Sequence, residues 1–499
     1  MCVSYETHTD WSKTVVHTPV EKVDVQAVNK KENRSLYKKR EKIQPKRATG
    51  SFRRLKWIIM GITLAIYYIT PWIRWDRGVG APDQAVLVDF QHNRFYFFFI
   101  ELWPQEVYYI TGILILSALA LFLVTSLFGR AWCGYSCPQT VWTDLFIFVE
   151  RAIEGDRNAR LKLDKAKMTG GKFAKRFVKH SIWLLIGLLT GGAWVFYFAD
   201  APTLLRELLV GEAQVIAYSS VAVLTATTYV FGGLMREQVC TYMCPWPRIQ
   251  GAMVDEETLT VTYHAPRGEP RGPHKKNDTW EGRGHCIDCN QCVAVCPMGI
   301  DIRDGAQLEC ITCALCIDAC DSVMEKVGLP KGLISYDTHE GQFDKTPDKK
   351  LKVRLIRPRT LAYVGLLSVV GGVMLFTLLN RSVLDVNVIR DRNPLFVTLS
   401  DGQIRNGYTV KILNKIHEDR RFQITIEGLP NSSAWLQVEG PRHPEMIVPV
   451  PGDALSSVKL FVSAPNSDLT DSSQDISIVV KDLINGQTEI QETTFKGPK

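Results

Sequence analysis

Residues 286–320 read Cys286-Ile287-Asp288-Cys289-Asn290-Gln291-Cys292-Val293-Ala294-Val295-Cys296-Pro297 and, after a short spacer, Cys310-Ile311-Thr312-Cys313-Ala314-Leu315-Cys316-Ile317-Asp318-Ala319-Cys320. Each half is C-x2-C-x2-C-x3-C, the spacing by which bacterial two-cluster ferredoxins hold [4Fe-4S] cubanes on four thiolates apiece. The first three cysteines of a run wrap one cube and the fourth reaches across to the other. The expected ligand sets are therefore Cys286, Cys289, Cys292 and Cys320 for one cluster, and Cys310, Cys313, Cys316 and Cys296 for the second. A zinc site or disulfides would be the alternatives, but a zinc site needs two pairs and leaves four thiols idle. Cys-x-x-Cys-His is absent, which excludes covalent haem. Asp321 rather than proline follows the last cysteine, a departure that removes no ligand. His285 could also bind metal, although eight cysteines already satisfy both cubes.

Outward from this stretch, five segments are long and apolar enough to cross a bilayer: Trp57 to Ile73, Tyr108 to Phe128, Ile182 to Ala199, Val215 to Leu234 and Leu361 to Leu379. Tyr67, Tyr68, Trp72, Trp75, Trp103, Tyr108, Tyr109, Trp183 and Trp194 lie near span ends or in the flanks, where interfacial aromatics are expected. Lys38, Lys39, Arg40, Lys42, Lys46, Arg47, Arg53, Arg54 and Lys56 precede the first span, and the loop Arg130 to Lys179 is comparably basic. The loop Asp200 to Gln214 carries one arginine against three acids. The positive-inside bias thus expects a cytoplasmic N-terminus and cytoplasmic clusters, with everything after Leu379 outside. All 13 cysteines fall at or before Cys320, on the reducing side of that topology. The net charge of +7 is accounted for by these flanks, so no nucleic-acid partner is implied.

Residues 1–50 read as a disordered cytoplasmic tail without a signal-peptide core, and Cys2 within it carries no assignment. Residues 51–250 form a four-span region that contains a repeat. Its second span runs into Cys133-Gly134-Tyr135-Ser136-Cys137-Pro138 and its fourth into Cys240-Thr241-Tyr242-Met243-Cys244-Pro245, which suggests a parallel duplication. If the helix continues from Cys133 to Cys137, i and i+4 thiols share a face about 5–6 Å apart, while the proline biases the preceding cysteine out of the helix. Paired thiols favour Cu(I), with the Met243 thioether as a further candidate ligand, or relay electrons through a disulfide. Buried cysteines also serve as small hydrophobes, so one copy alone would say little; two equivalent copies favour metal or redox chemistry. Tyr135 and Tyr242 are candidate interface anchors.

Residues 251–285 form a Pro/Gly-rich connector, His264 to His274 in particular, whose basic residues together with Lys275 and Lys276 could meet lipid or a redox partner. Residues 286–330 are the ferredoxin-like insert, 331–360 a cytoplasmic linker and 361–380 the fifth membrane helix. From 385 to 499 short alternating runs such as Tyr408 to Leu413, Phe422 to Ile426 and Val458 to Val462 predict an immunoglobulin-like β-sandwich. It lacks the Cys–Trp–Cys signature of antibody domains, and its His417 and His443 read as isolated surface residues. The fold class expected is a multi-domain membrane protein: five helical spans, a two-cluster ferredoxin-like insert and a C-terminal sandwich serving as a docking or structural module.

In this order of parts the chain resembles the CcoG/FixG/RdxA family of cytochrome oxidase accessory proteins over nearly its whole length apart from the N-terminal tail. The resemblance implies a bacterial inner-membrane protein acting in assembly of cbb3-type cytochrome c oxidase, as a reductase of Cu(II) to Cu(I). Cys133, Cys137, Cys240 and Cys244 would then handle copper, and the eight insert cysteines would hold two [4Fe-4S] clusters. Implied partners are the lipid bilayer, oxidase-assembly and copper-transport proteins, and an unidentified cytoplasmic electron donor. Two other functions fit parts of the pattern. A quinol-oxidising subunit, as in periplasmic nitrate reductase systems, shares the C-x3-C-P motifs but lacks the sandwich; a copper-binding assembly scaffold would involve no turnover.

Overall fold

The computed structural model describes residues 20–29, 41–78, 80–274, 280–339, 341, 354–382, 384–437, 442–443, 446–469 and 471–498. Cys2, Lys38, Lys39, Arg40, Lys275, Lys276 and the side chain of His443 lie outside the described residues. The chain divides into two compact units, Met1–Trp75 with Gln84–Met374, and Asp76–Asp83 with Leu375–Lys499.

The helices of the first unit are α1 (Ser51–Ile69), α2 (Tyr108–Phe128), α3 (Ala131–Tyr135), α4 (Pro138–Glu154), α5 (Arg157–Lys165), α6 (Gly170–Val195), α7 (Ala201–Val210), α8 (Val215–Thr228), α9 (Trp246–Met253), α10 (Ala265–Gly268), α11 (Gln291–Val295) and α12 (Leu315–Val327), while α13 (Pro358–Leu379) leads into the second. Among the described residues five helical segments are long and apolar enough to cross a membrane: Ser51–Trp72, Pro104–Phe128, Gly170–Val195, Val215–Met235 and Pro358–Leu379. The first and third begin well before their apolar stretches, because helix and hydrophobic run need not coincide. In α6, Thr169 caps the start by accepting from the Lys172 amide, and a basic turn precedes the apolar part. Trp183, Tyr109 and Trp103, expected at an interface, are buried instead. Trp183 stacks on Phe146 with centroids 5.4 Å apart and donates to the Phe146 carbonyl. A three-stranded antiparallel sheet, β1 (Val86–Asp89), β2 (Arg94–Phe97) and β3 (Ile100–Leu102), fills the connection between the first two spans.

The ferredoxin-like part is larger than 286–330. β4 (Thr260–Tyr263) pairs antiparallel with β5 (Ile334–Asp337), so connector and linker both contribute to it. Arg267 of the connector is buried and donates to the Lys331 carbonyl and to His285 Nδ1. The N-terminal expectation also needs correction: residues 20–29 and 41–50 are packed rather than free. The amides of Val23, Val28 and Lys46 donate to the carbonyls of Cys289, Gly299 and Ala294, and Ala27, Ile43 and Ala48 are buried. Backbone pairing satisfies this strap where its polar sequence gives no periodic apolar face.

The second unit is a two-sheet sandwich built from β6 (Leu384–Arg390), β7 (Val397–Thr398), β8 (Gln403–Asn414), β9 (Arg420–Glu427), β10 (Ser433–Gln437), β11 (Arg442–His443), β12 (Ile447–Val450), β13 (Ala454–Pro465), β14 (Ser473–Asp482) and β15 (Thr488–Lys496). One sheet has the order β11-β10-β13-β8-β6, with β7 also on β8; the other is β12-β9-β14-β15. Alternation puts Tyr408, Val410, Ile412, Phe422, Leu460, Val462, Ile478 and Phe495 in one core, as period-2 strands facing each other require. His417 is not isolated: its Nδ1 lies 4.0 Å from an Asp453 carboxylate oxygen.

Candidate iron–sulfur and thiol sites

Cys286, Cys289, Cys292 and Cys320 line one cavity together with Tyr263, Arg303 and Met324. Cys296, Cys310, Cys313 and Cys316 line a second, walled by Val261, Ile300, Ile311 and Leu315, and Cys292 lines this one as well. The loops that shape them are alike. Asp288 and Thr312 precede the central cysteine of each run with φ of 51° and 50°, and Asn290 and Ala314 follow it with φ of 57° and 60°. Holding a non-glycine residue such as Ala314 left-handed costs roughly 1–2 kcal/mol, a strain such loops tolerate when the turn must aim sulfurs inward. Arg303 fastens the first loop by donating to Asp288, Asn290 and Asp301.

Burial dominates the thiols' acidity. It pushes Cys296 up to about 12 and Cys310 to about 11, and raises Cys292, Cys316 and Cys320 as well, each with neighbouring cysteines adding to the rise. An apolar cavity bearing four converging thiols suits a metal cluster, because a soft cation is what makes the thiolate form stable there. The donor sets fit two cubanes. His285 is already engaged, its Nδ1 accepting from Arg267.

The two C-x3-C-P motifs close in the same way. The Cys137 amide donates to the Trp132 carbonyl at 2.9 Å, and the Cys244 amide to the Val239 carbonyl at 2.8 Å. Each bond spans from the second cysteine to the residue just before the first. The helix does not carry through to the second cysteine, as an i, i+4 pair would need: α3 ends at Tyr135, and Cys137 and Cys244 are extended with ψ of 128° and 126°. A following proline imposes that backbone, and Pro138 then opens α4.

All four motif cysteines are half-buried and lie within electrostatic range. Burial raises Cys133 to about 11, opposed by Arg130 and reinforced by Cys137 and Cys244. Burial raises Cys240 to about 12, reinforced by Cys137, Cys133 and Cys244. Cys133 Sγ donates to Gln250 Oε1 at 3.0 Å, and fully buried Gln250 donates in turn to Thr125. Met243 and Tyr242 are 53% and 59% exposed. Tyr135 is buried, not an interface anchor.

This thiol cluster abuts the second cavity. Cys133 and Cys240 pack against the hydrophobic cluster that also contacts Cys296 and Cys310 and includes Cys313. A Cβ on Gly134 would stand 2.5 Å from the Ile311 carbonyl oxygen and 3.1 Å from Cys313 Cα, so the first motif rests directly on the cysteine loop. Tyr336 donates to the Thr312 carbonyl at 2.5 Å and its hydroxyl lies 3.4 Å from that of Tyr135. Arg130 bonds the Leu308 carbonyl. Gln250 and Tyr336 carry no local signal in sequence; only their tertiary neighbours distinguish them.

Cysteine cavities joined to apolar helices define a membrane iron–sulfur protein. Family models agree: a 4Fe-4S dicluster domain matches residues 235–339, a 4Fe-4S binding domain matches 110–154, and the Ig-like fold at the C-terminus of FixG matches 374–498. The chain is 52% identical to the nitrogen fixation protein FixG of Rhizobium meliloti over 96% of this chain and 97% of that protein. It is 53% identical to protein RdxB of Cereibacter sphaeroides over 93% and 98%. The chain belongs to the FixG/RdxA family. A solved FixG-related protein from Vibrio parahaemolyticus aligns with 24% of this chain and 99% of its own length at 22% identity and a TM-score of 0.21.

Proposed function

We propose that this protein reduces Cu(II) to Cu(I) at a bacterial inner membrane in support of cbb3-type oxidase assembly, with the ferredoxin part cytoplasmic and the sandwich periplasmic. Cys286, Cys289, Cys292 and Cys320 hold one [4Fe-4S] cluster, and Cys296, Cys310, Cys313 and Cys316 the other. When bound, these clusters supply one-electron transfer from a cytoplasmic donor. The observation that carries the reading is the contact of the four-thiol group with the Cys310–Cys313 loop through Gly134. Cys133, Cys137, Cys240 and Cys244 receive copper there; one electron added to Cu(II) gives Cu(I), which thiolates prefer. Arg130 offsets the negative charge that accumulates on the thiolates, and Gln250 orients Cys133.

The quinol reading gains less. The aromatic cavity of about 630 Å³ lined by Phe90, Trp194, Phe198, Glu207 and Gln214 lies at the far end of the segment Val215–Met235 from Cys240. Twenty-one helical residues span about 30 Å at roughly 1.5 Å each, too far for a direct electron hop. The test is anaerobic stopped-flow on pre-reduced protein mixed with Cu(II) or with a soluble quinone. Reoxidation by copper that slows in Cys137→Ser and Cys244→Ser, with Cu(I) trapped by a chelator, is expected; reoxidation by quinone alone would overturn the proposal, and slow response to both would leave a scaffold.

A further inference from the structure

A cavity of about 800 Å³ opens where α1 begins, lined by Arg47, Ala48, Thr49, Gly50, Arg53, Arg54, Trp57, Phe148, Arg151 and Ala152. Four of these ten are arginines and none is acidic. Arg53 is spoken for by Asp144 and stacks over Trp57 with its guanidinium 4.8 Å from the ring centroid. Arg151 donates to the carbonyls of Pro45 and Lys46. Its buried Nε lacks a hydrogen-bond partner and sits 3.9 Å from Asp156, the nearest carboxylate. Among the described residues no hydrogen bond or ion pair engages the side chains of Arg47 and Arg54, both exposed. Burial, then the neighbouring Arg160 and Arg53, lower Arg151 to about 10 against the pull of Asp144 and Asp156.

The floor of the cavity is apolar, with Trp57 edge-on to Phe148 at 5.1 Å, and Phe148 is 49% exposed. From Arg54 an i, i+4 row runs along α1 through Ile58, Ile62 and Ile66, exposed by 59%, 55% and 61%, on a segment apolar enough to span a membrane. Residues four apart on a helix are neighbours on its surface. The cavity thus offers cationic recognition at one end and an uninterrupted apolar track leading away from it. A phosphate ester would neutralise the arginines, and acyl chains would cover the isoleucines. The amides of Phe52 and Arg53 are already capped by Asp318, so the arginines rather than the helix end make the site.

We propose that this cavity binds the phosphodiester headgroup of an anionic phospholipid, with an acyl chain along the Ile58–Ile62–Ile66 row. A basic pocket between helices at the headgroup level is the kind of site that acidic lipids occupy. The shared chemistry with a soluble phosphate ester is separated by experiment. Full-length, delipidated protein in detergent is titrated with phosphatidylglycerol, phosphatidylcholine or sn-glycerol 3-phosphate, and bound lipid is counted by native mass spectrometry. One tightly held phosphatidylglycerol per chain is expected, with phosphatidylcholine retained far less. Arg47→Gln/Arg54→Gln, whose side chains make no hydrogen bond or ion pair among the described residues, should weaken retention roughly tenfold or more while leaving the visible iron–sulfur absorbance unchanged. Equal retention of the two lipids, or an unaltered affinity in the variant, would overturn the proposal. So would full competition by sn-glycerol 3-phosphate, which would make this a site for small anions.

Discussion

Gly134→Ala adds one methyl group at the point where the first C-x3-C-P motif meets the ferredoxin-like part. The new Cβ would lie 2.5 Å from the Ile311 carbonyl oxygen and 3.1 Å from both Cα and N of Cys313. Ordinary contact begins at 3.4 Å, so motif and loop must separate by 3.4 − 2.5 = 0.9 Å. Both sides are backbone, and no side-chain rotamer can absorb the shift. Overpacking of this kind costs about 1–3 kcal/mol, against a helix-propensity gain of up to about 1 kcal/mol for replacing glycine. The net loss falls between about 0 and 3 kcal/mol, and its middle value of about 1.5 kcal/mol raises the population of the opened contact some 10-fold. The assay is anaerobic alkylation of half-buried Cys133 and Cys240, quantified by peptide mass spectrometry, in the regime where rate follows the open population. Gly171→Ala is the control: its Cβ meets nothing within 4 Å, so it should leave the alkylation rates alone. Wild-type alkylation in Gly134→Ala would falsify the contact as the support of the thiol group.

Three further outcomes are expected. Cys296→Ser and Cys320→Ser should each leave about half the bound iron, and only Cys296→Ser should remove the cluster whose spectrum responds to metal at Cys133 and Cys240; loss of that response in Cys320→Ser instead would contradict the crossed ligand sets. Glu150, fully buried, accepts from Arg160, Arg236, Lys42 and Lys179; Glu150→Gln removes the counter-charge that Arg160, Arg236 and Lys42 share, while Lys179 keeps Glu154 at 2.7 Å, and should cost about 3–5 kcal/mol, read as a lower melting temperature. Burial pushes the Glu150 carboxyl up, but Arg236, Lys42, Arg160 and Lys179 together hold it well below its usual value, so its stabilisation is complete above an unfolded pKa of about 4.3 and fades only as pH falls towards the depressed value. A variant that melts like wild type at pH 7 would refute this. Asp318→Ala removes the acceptor for the Phe52 and Arg53 amides and should cost about 0.5–2 kcal/mol, with earlier proteolysis between residues 41 and 50 as the readout.

The parts legible in sequence are those whose constraints are local. Cysteine spacing sets which sulfurs can surround one cavity, the proline after each motif sets the extended second cysteine, and alternation sets the sandwich core at Tyr408, Val410 and Ile412. What was missed depends on contacts distant in the chain. The strap at Val23, Val28 and Lys46 pairs through backbone amides, which leave no side-chain pattern. Tyr135 looks like an interfacial tyrosine until Tyr336, some two hundred positions later, is placed beside it. Glu150 falls in a stretch whose sequence shows only an excess of basic residues, and it is buried because cations from four separate segments meet there.

The two C-x3-C-P motifs share one closing hydrogen bond and differ in the residues inside it. Both motifs close the same wide turn, yet the first has Gly134 and buried Tyr135 where the second has Thr241 and exposed Tyr242. The first copy brings its backbone against that of Ile311 and Cys313, and the residue at the contact carries no Cβ. In the second copy the threonine hydroxyl turns back to the Glu237 carbonyl, a bond that serves its own turn and no partner. Cys133 and Cys240, one from each motif, both pack against the cluster that includes Cys313, and the glycine at 134 lets the first motif bring its backbone up against Ile311 and Cys313. A Cβ at position 134 would close that approach, because it would stand 2.5 Å from the Ile311 carbonyl oxygen, whereas the second motif carries a threonine at the matching position 241.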